Sequence, residues 1–186
     1  MKSLTFVTGN ELKVRMAQAV LDDFKIKVEQ KRLDITEIQA DSGETVARDK
    51  AQKAFDILQQ PLVVCDDSWL IPGLHGFPGP YMAAMQQWLT AEDWLRLTLP
   101  LADRRIILRQ IAVYQDAEQQ KCFAVDIEGL LLKEVRGDVT HNTHDPVISF
   151  DGGHHSAAEI HAAGRAAAAH HATTWHQLGA WLAEQS

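Results

Sequence analysis

The stretch LTFVTGNELKVRMAQAVLDDF, residues 4–24, sets the folding pattern on which the rest of the chain builds. Its first four residues favour a strand, and the turn residues Thr8, Gly9 and Asn10 follow at once. From there to Phe24 apolar residues recur every three or four positions, which is the spacing of one helix face. The stretch therefore predicts a strand, a tight turn and an amphipathic helix in succession.

The next segments continue this alternation of strand and helix. Residues 25–33 alternate apolar and charged side chains, which predicts an edge strand with one wet face. Asp41 and Glu44 have the spacing of a capping box, and apolar residues then mark one helix face over about 42–58. A further strand and helix are therefore expected before residue 60.

The middle of the chain begins with the apolar run Leu62-Val63-Val64-Cys65, which is typical of a strand covered on both faces. This strand would deliver Asp66, Asp67 and Ser68 at its carboxyl end. Residues 72–80 hold three glycines and three prolines and predict a structured loop. A helical pattern resumes from Trp88 to Leu97.

The last third of the chain adds a hairpin and terminal helices. Segments 105–114 and 121–132 are strand-like and are separated by a polar stretch, which predicts a hairpin. An Ala-rich helix is expected from about Ser156, and a terminal amphipathic helix carries Trp175. The whole pattern predicts an α/β fold with a mixed central sheet and flanking helices, formed by residues 1–186 as a single domain.

Composition limits the classes of protein to which the chain can belong. Its 186 residues are 46% hydrophobic with 11 Gly and 6 Pro, which excludes collagenous and disordered classes. The formal charge of −7 argues against binding of nucleic acid through its backbone. We expect no membrane association, and two cysteines without a CxxC spacing predict a cytoplasmic setting.

The turn Thr8-Gly9-Asn10 is a candidate phosphate site. Free N–H groups at a helix N-terminus favour anions, Gly9 allows a close approach, and Lys13 adds a cation in the first turn of the helix. The spacing matches neither a P-loop nor a dinucleotide fingerprint. An ordinary strand-to-helix connection capped by Asn10 therefore remains the alternative.

Carboxylates at the end of the apolar strand are candidate metal ligands. At the end of a buried strand, the carboxylates of Asp66 and Asp67 need water, a cation or hydrogen-bond donors as partners. Because carboxylate oxygens next to a candidate phosphate site are hard ligands, they point to Mg²⁺ rather than to a soft metal. The alternative is that Asp67 and Ser68 cap a turn. The acidic stretch DITEIQ, residues 34–39, matters only if it meets Asp67 in space, and is otherwise a solvated strand end.

Eight of the nine histidines lie between His141 and His176. Their spacings match no zinc pattern, and neither cysteine partners nor an HExxH helix accompany them. Three interpretations stay open: exposed polar histidines, substrate contacts by His170 and His171, and a histidine-dependent metalloprotein. The absence of Gly-x-Ser-x-Gly removes a nucleophile elbow from consideration.

Seven motifs, taken in order, resemble the inosine/xanthosine triphosphate pyrophosphatase family over most of the chain. They are TGNELK (8–13), DITEIQ (34–39), ARDKA (47–51), CDDSWL (65–70), GFPGPYM (76–82), VRG (135–137) and HDP (144–146). The resemblance implies an α/β protein whose two lobes flank a cleft, usually as a homodimer. It also implies an enzyme that uses Mg²⁺ to hydrolyse nucleoside triphosphates to monophosphate and pyrophosphate.

The resemblance further implies a role for each matching residue. Asp67 and Lys13 would be catalytic, with Asp67 orienting the attacking water, and Glu37 and Asp67 would hold Mg²⁺. His144 and Asp145 would face the purine edge. The residues that would bind the nucleoside triphosphate are Thr8, Gly9, Asn10, Lys13, Lys50, Ser68, His144, Asp145, Arg165, His170 and His171.

The chain departs from the family pattern where the substrate is recognised. Trp69 replaces a Gly, Met82-Ala83-Ala84 lacks a basic residue, and 142–146 lacks the usual aromatic residues. The family's Lys and Ser-His-Arg appear as Arg165 and Ala169-His170-His171. Two functions therefore stay open: a pyrophosphatase with an altered substrate preference, and a catalytically weak paralogue that binds a nucleotide or a protein partner as a sensor or scaffold.

Overall fold

The computed structural model describes residues 2–139, 141–165 and 172–185, and the helices and strands below are those of that part of the chain. The strands are β1 (Lys2–Val7), β2 (Ile26–Lys31), β3 (Leu62–Leu70), β4 (Pro78–Gly79), β5 (Arg105–Gln115), β6 (Gln120–Leu131) and β7 (Ile148–Ser149). The α-helices are α1 (Glu11–Leu21), α2 (Gly43–Leu58), α3 (Met82–Met85), α4 (Ala91–Thr98), α5 (Ala157–Ala162) and α6 (Ala172–Glu184). Short 3₁₀ turns occupy Asp22–Phe24, Pro72–Leu74 and Asp145–Val147.

The strands form one mixed sheet in the order β2-β1-β3-β5-β6-β7, with β4 paired to β3. β1 runs parallel to β2 in the register Lys2↔Ile26 and parallel to β3 in the register Thr5↔Leu62. β4 and β7 pair antiparallel with β3 and β6. The predicted α/β fold with a mixed sheet is therefore confirmed, and so is the edge position of β2.

The chain divides into two compact units, in agreement with the predicted two lobes. Unit 1 comprises the described residues of Met1–Asp67, Gln110–Val125 and His170–Ser186. Unit 2 comprises the described residues of Ser68–Arg109 and Asp126–Ala169. The prediction of a single domain over 1–186 stays a prediction.

Unit 1 has a hydrophobic core on each face of its strands. Side chains alternate along β3, so Val63 and Cys65 pack with α1 and α6, whereas Leu62 and Val64 pack with α2. The first core also holds the buried residues Leu4, Phe6, Ala17, Leu21, Trp175 and Leu178. The second holds Val7, Ala47, Ala51, Ala54, Ile111 and Val113.

Unit 2 has its own core beneath α4 and α5. Its largest buried side chain is Trp94, whose indole Nε1 donates a hydrogen bond to Thr143 Oγ1 over 3.1 Å. The other buried members are Ile71, Met82, Ile106, Leu131, Val147, Ile148 and Ala157. Burying one of the larger apolar side chains in this list contributes about 1.5–3 kcal/mol to the free energy of unfolding.

Two predicted boundaries differ from the structure. The cap of α2 is Ser42, whose Oγ accepts from the Thr45 N–H, rather than Asp41. The helix expected from Trp88 to Leu97 begins only at Ala91, because Thr90 and Asp93 form a capping box that starts α4 there. Trp88 lies in the preceding turn and is 70% exposed.

Among the described helices, none has both the length and the apolar character needed to cross a bilayer.

Candidate functional site

The turn between β1 and α1 is built as a helix cap. Asn10 Oδ1 accepts from the backbone N–H groups of Leu12, over 2.9 Å, and Lys13, over 3.3 Å. Thr8 Oγ1 accepts from the Asn10 N–H over 3.1 Å. A Cβ placed on Gly9 would meet nothing within 4 Å among the described atoms, so packing does not require glycine there. The space beside Gly9 remains open for a ligand to approach the backbone.

Asp67 and Lys13 form an ion pair beside this turn. Asp67 lies two residues after Cys65 along β3, so alternation turns it towards the face covered by α1, which carries Lys13. The Lys13 Nζ is 2.8 Å from Asp67 Oδ2, and each side chain is about a quarter exposed (25% and 21%). Burial opposes the charge on Lys13, but attraction to Asp67 outweighs it and raises the pKa of Lys13.

A second ion pair joins α2 to the irregular segment before it. Lys50 Nζ lies 2.6 Å from Glu37 Oε1. Lys53, one turn further along α2, donates to the Thr36 carbonyl over 2.9 Å and so fixes the backbone beside Glu37. The stretch that includes Glu37 is therefore tied to α2 by these two lysines, while most of its side chains remain exposed and it forms no strand.

The charges of both ion pairs act on Asp66. Burial raises the pKa of Asp66, whereas the positive charges of Lys13 and Lys50 lower it and the negative charge of Glu37 raises it further. These opposing effects act together only because the four groups lie near one another. Glu37 and Asp67, distant in sequence, thus occupy one neighbourhood within unit 1.

The side chains of this neighbourhood fit a divalent cation of the Mg²⁺ type. The Asp67 Oδ1 atom is buried and has no hydrogen-bond partner in the part of the chain that the structure describes. In that same part, no three His, Cys, Asp or Glu side chains group closely enough to hold a metal. Mg²⁺ is commonly held by only one or two carboxylates together with substrate phosphates, which is the donor set available here.

Ser68 and Cys65 flank the two aspartates on β3. Ser68 is buried, and its Oγ has no hydrogen-bond partner among the residues described. Burial raises the pKa of the Cys65 thiol to about 12, so this cysteine is a core residue without thiolate character. The strand extends through Leu70, so Asp66, Asp67 and Ser68 belong to it rather than following it.

Unit 2 buries His144, which the resemblance assigned to the purine edge. Its side chain packs edge-on against the rings of Trp69, with centroids 4.5 Å apart, and of Trp94, with centroids 6.2 Å apart. It is 1% exposed, and its burial lowers its pKa to about 4. Neither ring nitrogen has a hydrogen-bond partner within the described residues.

Asp145 is equally buried, and neighbouring groups donate hydrogen bonds to its carboxylate. Asn142 donates to it from its backbone N–H over 3.2 Å and from its side-chain amide over 3.2 and 3.3 Å. His161 Nδ1 donates to Oδ2 over 3.2 Å. Burial opposes ionisation of Asp145, but the His161 hydrogen bond and the other donors lower its pKa. Asp145 is therefore a buried carboxylate that is fully hydrogen-bonded within unit 2.

The remaining predicted site residues lie in the C-terminal third. Arg165 is exposed, and its backbone N–H donates to the Ile160 carbonyl after the end of α5. His170 and His171 lie outside the described residues, so their predicted contacts stay predictions. Of the other histidines of this stretch, His141, His154, His155 and His176 are exposed, as the first of the three interpretations expects. That interpretation is wrong for His144, which is buried, and His161 is half-buried.

Sequence reasoning missed two residues that shape these sites. Asn142 stands three residues before Asp145, a spacing that could have indicated a local side-chain hydrogen bond. His161 lies on α5, and no local pattern could have placed it on Asp145. The neighbourhood of Asp66 with both lysines likewise depends on the fold.

Comparison with known proteins gives consistent matches. The family model described as the Ham1 family matches residues 4–181. A dITP/XTP pyrophosphatase of Methanopyrus kandleri is 31% identical over 156 residues, which cover 83% of this chain and 82% of that protein. Another protein of that name, from Saccharolobus solfataricus, is 28% identical over 83% of this chain and 80% of its own length.

A solved structure gives the same result for the fold. The HAM1 protein from Coxiella burnetii superposes with a TM-score of 0.80 at 21% sequence identity, covering 99% of this chain and 100% of that chain. At this level of identity the match concerns the fold.

Proposed function

The chain belongs to the Ham1 family, and from this we propose that it hydrolyses deaminated purine nucleoside triphosphates to monophosphate and pyrophosphate with Mg²⁺. The similar proteins from Methanopyrus kandleri and Saccharolobus solfataricus carry the name dITP/XTP pyrophosphatase. The predicted class of enzyme, a nucleoside-triphosphate pyrophosphatase, is confirmed by these relatives. The nucleotide accepted and the metal used are the parts that we propose.

The observation that carries the proposal is the meeting of Glu37, Asp67, Lys13 and Lys50 in unit 1. Two carboxylates and two ammonium groups from four separate segments lie around Asp66, beside a helix N-terminus with open space at Gly9. Hydrolysis of a phosphoanhydride needs neutralised phosphate oxygens and an oriented water. This set of groups can meet both needs without a covalent nucleophile.

We assign the binding of Mg²⁺ to Glu37 and Asp67. When bound, the ion would neutralise charge on the triphosphate oxygens. Lys13 and Lys50, which pair with these carboxylates in the free chain, would donate hydrogen bonds to phosphate oxygens. The N–H groups at the start of α1 and the hydroxyl of Thr8 would bind the same anion.

Asp67 is also placed to orient the attacking water. Its Oδ1 atom is buried without a hydrogen-bond partner among the described residues, while Oδ2 pairs with Lys13. A water that donates a hydrogen bond to Oδ1 would be held in one orientation for attack on phosphorus. The proton of that water would pass to the same carboxylate oxygen.

The proposal extends to assembly and setting. We infer a homodimer in the cytoplasm, from the family resemblance and from the two unpaired cysteines. A mass in solution of twice the 20.8 kDa of one chain, measured by light scattering, supports the homodimer. A mass of one chain contradicts it.

Release of pyrophosphate from ITP, XTP, GTP and ATP with Mg²⁺ tests the proposed activity. Asp67→Asn keeps the size of the side chain but removes the negative charge, so we expect turnover to fall on the order of 100-fold or more. Asp23→Asn is the matched control, since Asp23 is an exposed aspartate in a 3₁₀ turn outside these clusters. Its turnover should equal that of the parent chain.

Two outcomes would contradict the proposal. Turnover that survives unchanged in Asp67→Asn would remove Asp67 from the reaction. Nucleotide binding without any release of pyrophosphate in the parent chain would favour the sensor or scaffold function instead.

A further inference from the structure

Two histidines of unit 2 that are distant in sequence have their rings side by side. The ring centroids of His141 and His161 are 5.0 Å apart, and the ring planes make an angle of 70°. His141 lies in the loop before Asp145 and is exposed, whereas His161 lies in α5 with its side chain 15% exposed. Solvent therefore reaches both rings, and both belong to the same compact unit.

A single buried carboxylate oxygen holds the two histidines together. Asp145 Oδ2 accepts from the backbone N–H of Asn142, the residue after His141, over 3.2 Å. The same oxygen accepts from His161 Nδ1 over 3.2 Å. Asp145 is itself 1% exposed and also accepts from the Asn142 side-chain amide on both oxygens. The backbone beside His141 and the ring of His161 are thus fixed to one immobile group.

The hydrogen bond to Asp145 determines which nitrogen of His161 is free to bind a ligand. A carboxylate only accepts hydrogen bonds, so Nδ1 carries the proton and Nε2 keeps its lone pair in the neutral ring. Within the described residues, His161 Nε2 and both nitrogens of His141 have no hydrogen-bond or ion-pair partner. Histidines that bind metals commonly donate their other N–H to a carboxylate, which fixes the tautomer and makes the free nitrogen more basic.

The separation of the two rings suits a single tetrahedral ion. Imidazole nitrogens bind Zn²⁺ at about 2.0–2.1 Å, so two rings on one tetrahedral ion have centroids about 5 Å apart. The observed 5.0 Å has this value. Imidazole ligands suit zinc, copper and nickel, whereas Mg²⁺ takes oxygen ligands.

The protein supplies only part of such a coordination shell. No group of three His, Cys, Asp or Glu side chains that could hold a metal occurs in the described ranges 2–139, 141–165 and 172–185. A bound ion would therefore have two protein ligands, and water or another small ligand would fill its remaining positions. Asp145 would act on the ion only through His161.

We propose that His141 and His161 form a site for one divalent transition-metal ion of the Zn²⁺ class, with Asp145 orienting His161. The site lies wholly within unit 2, and it takes a different class of metal from the Mg²⁺ assigned to Glu37 and Asp67. It does not depend on the proposed pyrophosphatase activity. It restricts the metalloprotein interpretation of the histidine-rich stretch to two residues that the fold, rather than their spacing, brings together.

Titration of the full chain with Zn²⁺ in a calorimeter, without Mg²⁺ or nucleotide, tests the site. The parent chain should bind one ion that both His141→Gln and His161→Gln lose. We expect the affinity for this ion to fall at least tenfold in each variant, since removing even a partner behind a ligand costs about 10–100-fold. His141 is exposed, so its substitution leaves the core of unit 2 unchanged.

His155→Gln is the matched control. His155 is another exposed histidine of unit 2, and its Nδ1 also lies beside a carboxylate, 2.7 Å from Asp151 Oδ2. Its ring makes no contact with a second histidine ring among the described residues. The affinity for Zn²⁺ should therefore equal that of the parent chain.

A second measurement on the parent chain tests the part played by Asp145. Long-range ¹H–¹⁵N spectra of the imidazoles distinguish the two nitrogens of each ring. On addition of Zn²⁺, the resonance of His161 Nε2 should shift as the ion binds, while Nδ1 keeps its proton. This measurement needs no substitution of the buried Asp145, which could prevent folding.

Each outcome decides for or against the site. A parent chain that binds no Zn²⁺ overturns it, and so does an undiminished affinity in His141→Gln or His161→Gln. An equal loss of affinity in His155→Gln would mean that zinc binds exposed histidines indiscriminately, which also overturns it. Binding through Nδ1 of His161 would remove Asp145 from its assigned role. Release of pyrophosphate, or its absence, bears on the proposed function alone.

Discussion

The ionisation of His144 couples the stability of unit 2 to pH. Burial lowers its pKa to about 4, against about 6.5 in an unfolded chain. The negative charge of Asp145 opposes this shift, and the neighbouring His161 side chain adds to it. Between these two pKa values the unfolded chain binds a proton that the folded chain does not, so the free energy of unfolding falls as pH falls from about 6.5 towards 4.

We therefore expect the free energy of unfolding to fall by about 2 kcal/mol more in the parent chain than in His144→Leu between pH 7 and pH 5. Above pH 7 the difference between the two proteins should not change with pH, because His144 is neutral in both states. Urea titrations at several pH values measure this. His154→Leu, which removes an exposed histidine, should follow the parent profile; identical profiles for the parent chain and His144→Leu would contradict the prediction.

At the scale of single residues, short motifs predict where in a strand or helix a side chain lies, but they do not predict which distant side chain it contacts. Lys13 follows the turn at Gly9 by four residues, so its place beside a helix N-terminus could be inferred from local pattern alone. Its pairing with Asp67 could not, because the 53 intervening residues include a strand and a helix whose packing brings β3 next to α1. The contact between His161 and Asp145 could not be predicted either, because it also depends on how α5 packs in the fold.

At the scale of the element, α6 contains a glycine in its middle where a helix would favour alanine. A Cβ on Gly179 would lie 2.4 Å from Cδ2 of Phe24, in the 3₁₀ turn that follows α1. The Phe24 ring also packs edge-on against His176 of α6, with centroids 5.0 Å apart. Gly179 therefore permits α6 to approach the Phe24 ring closely.

We expect Gly179→Ala to lower the free energy of unfolding by about 1 kcal/mol. Alanine stabilises a helix by about 1 kcal/mol over glycine, but overpacking costs about 1–3 kcal/mol, and here the added methyl group meets a ring. In a Phe24→Ala background the clash is gone, so the same substitution should stabilise by about 1 kcal/mol. Denaturant unfolding of the four proteins measures this, and an equal effect in both backgrounds would contradict the packing argument.

Elements were predicted best where a single pattern ran without interruption. The helix over about 42–58 and the strand at 25–33 appear as α2 and β2 with small shifts at their ends. β3 was predicted too short, because polar residues after Cys65 resemble the end of a strand. Its extension through Leu70 depends on pairing with β4, which lies in the loop of glycines and prolines.

At the scale of the whole molecule, the net charge opposes the proposed substrate. The formal charge is −7, and a triphosphate is itself strongly anionic, so attraction must come from local cations. At the proposed site, Lys13, Lys50 and the proposed divalent ion would supply this attraction. Binding of the nucleotide should therefore require the metal.

We expect Mg²⁺ and an ITP analogue with a non-hydrolysable α–β bridge to stabilise the protein together. At about 100 times Kd the gain is about 2.7 kcal/mol, which for a chain of this size raises Tm by on the order of 5–10 °C. Scanning calorimetry with the analogue plus Mg²⁺, and with the analogue plus EDTA, measures this. An equal rise in Tm under both conditions would contradict a role for the metal.

The family and the fold class could be predicted because seven motifs occur in the right order, and order along the chain is preserved when identity is low. The division into two units could not be predicted from composition, since strands β3, β5 and β6 each contribute residues to both units. No linker marks the boundaries.

The ion pairs Lys13–Asp67 and Lys50–Glu37 also bear on how the protein folds. Each carboxylate assigned to the metal has an ammonium counterion from the same chain, so folding does not leave these acids to repel one another. Small zinc domains, in contrast, unfold once a chelator strips their ion. We therefore expect the protein to fold without metal or nucleotide, so that a chelator would stop the proposed Mg²⁺-dependent reaction yet leave a native protein ready to be reloaded.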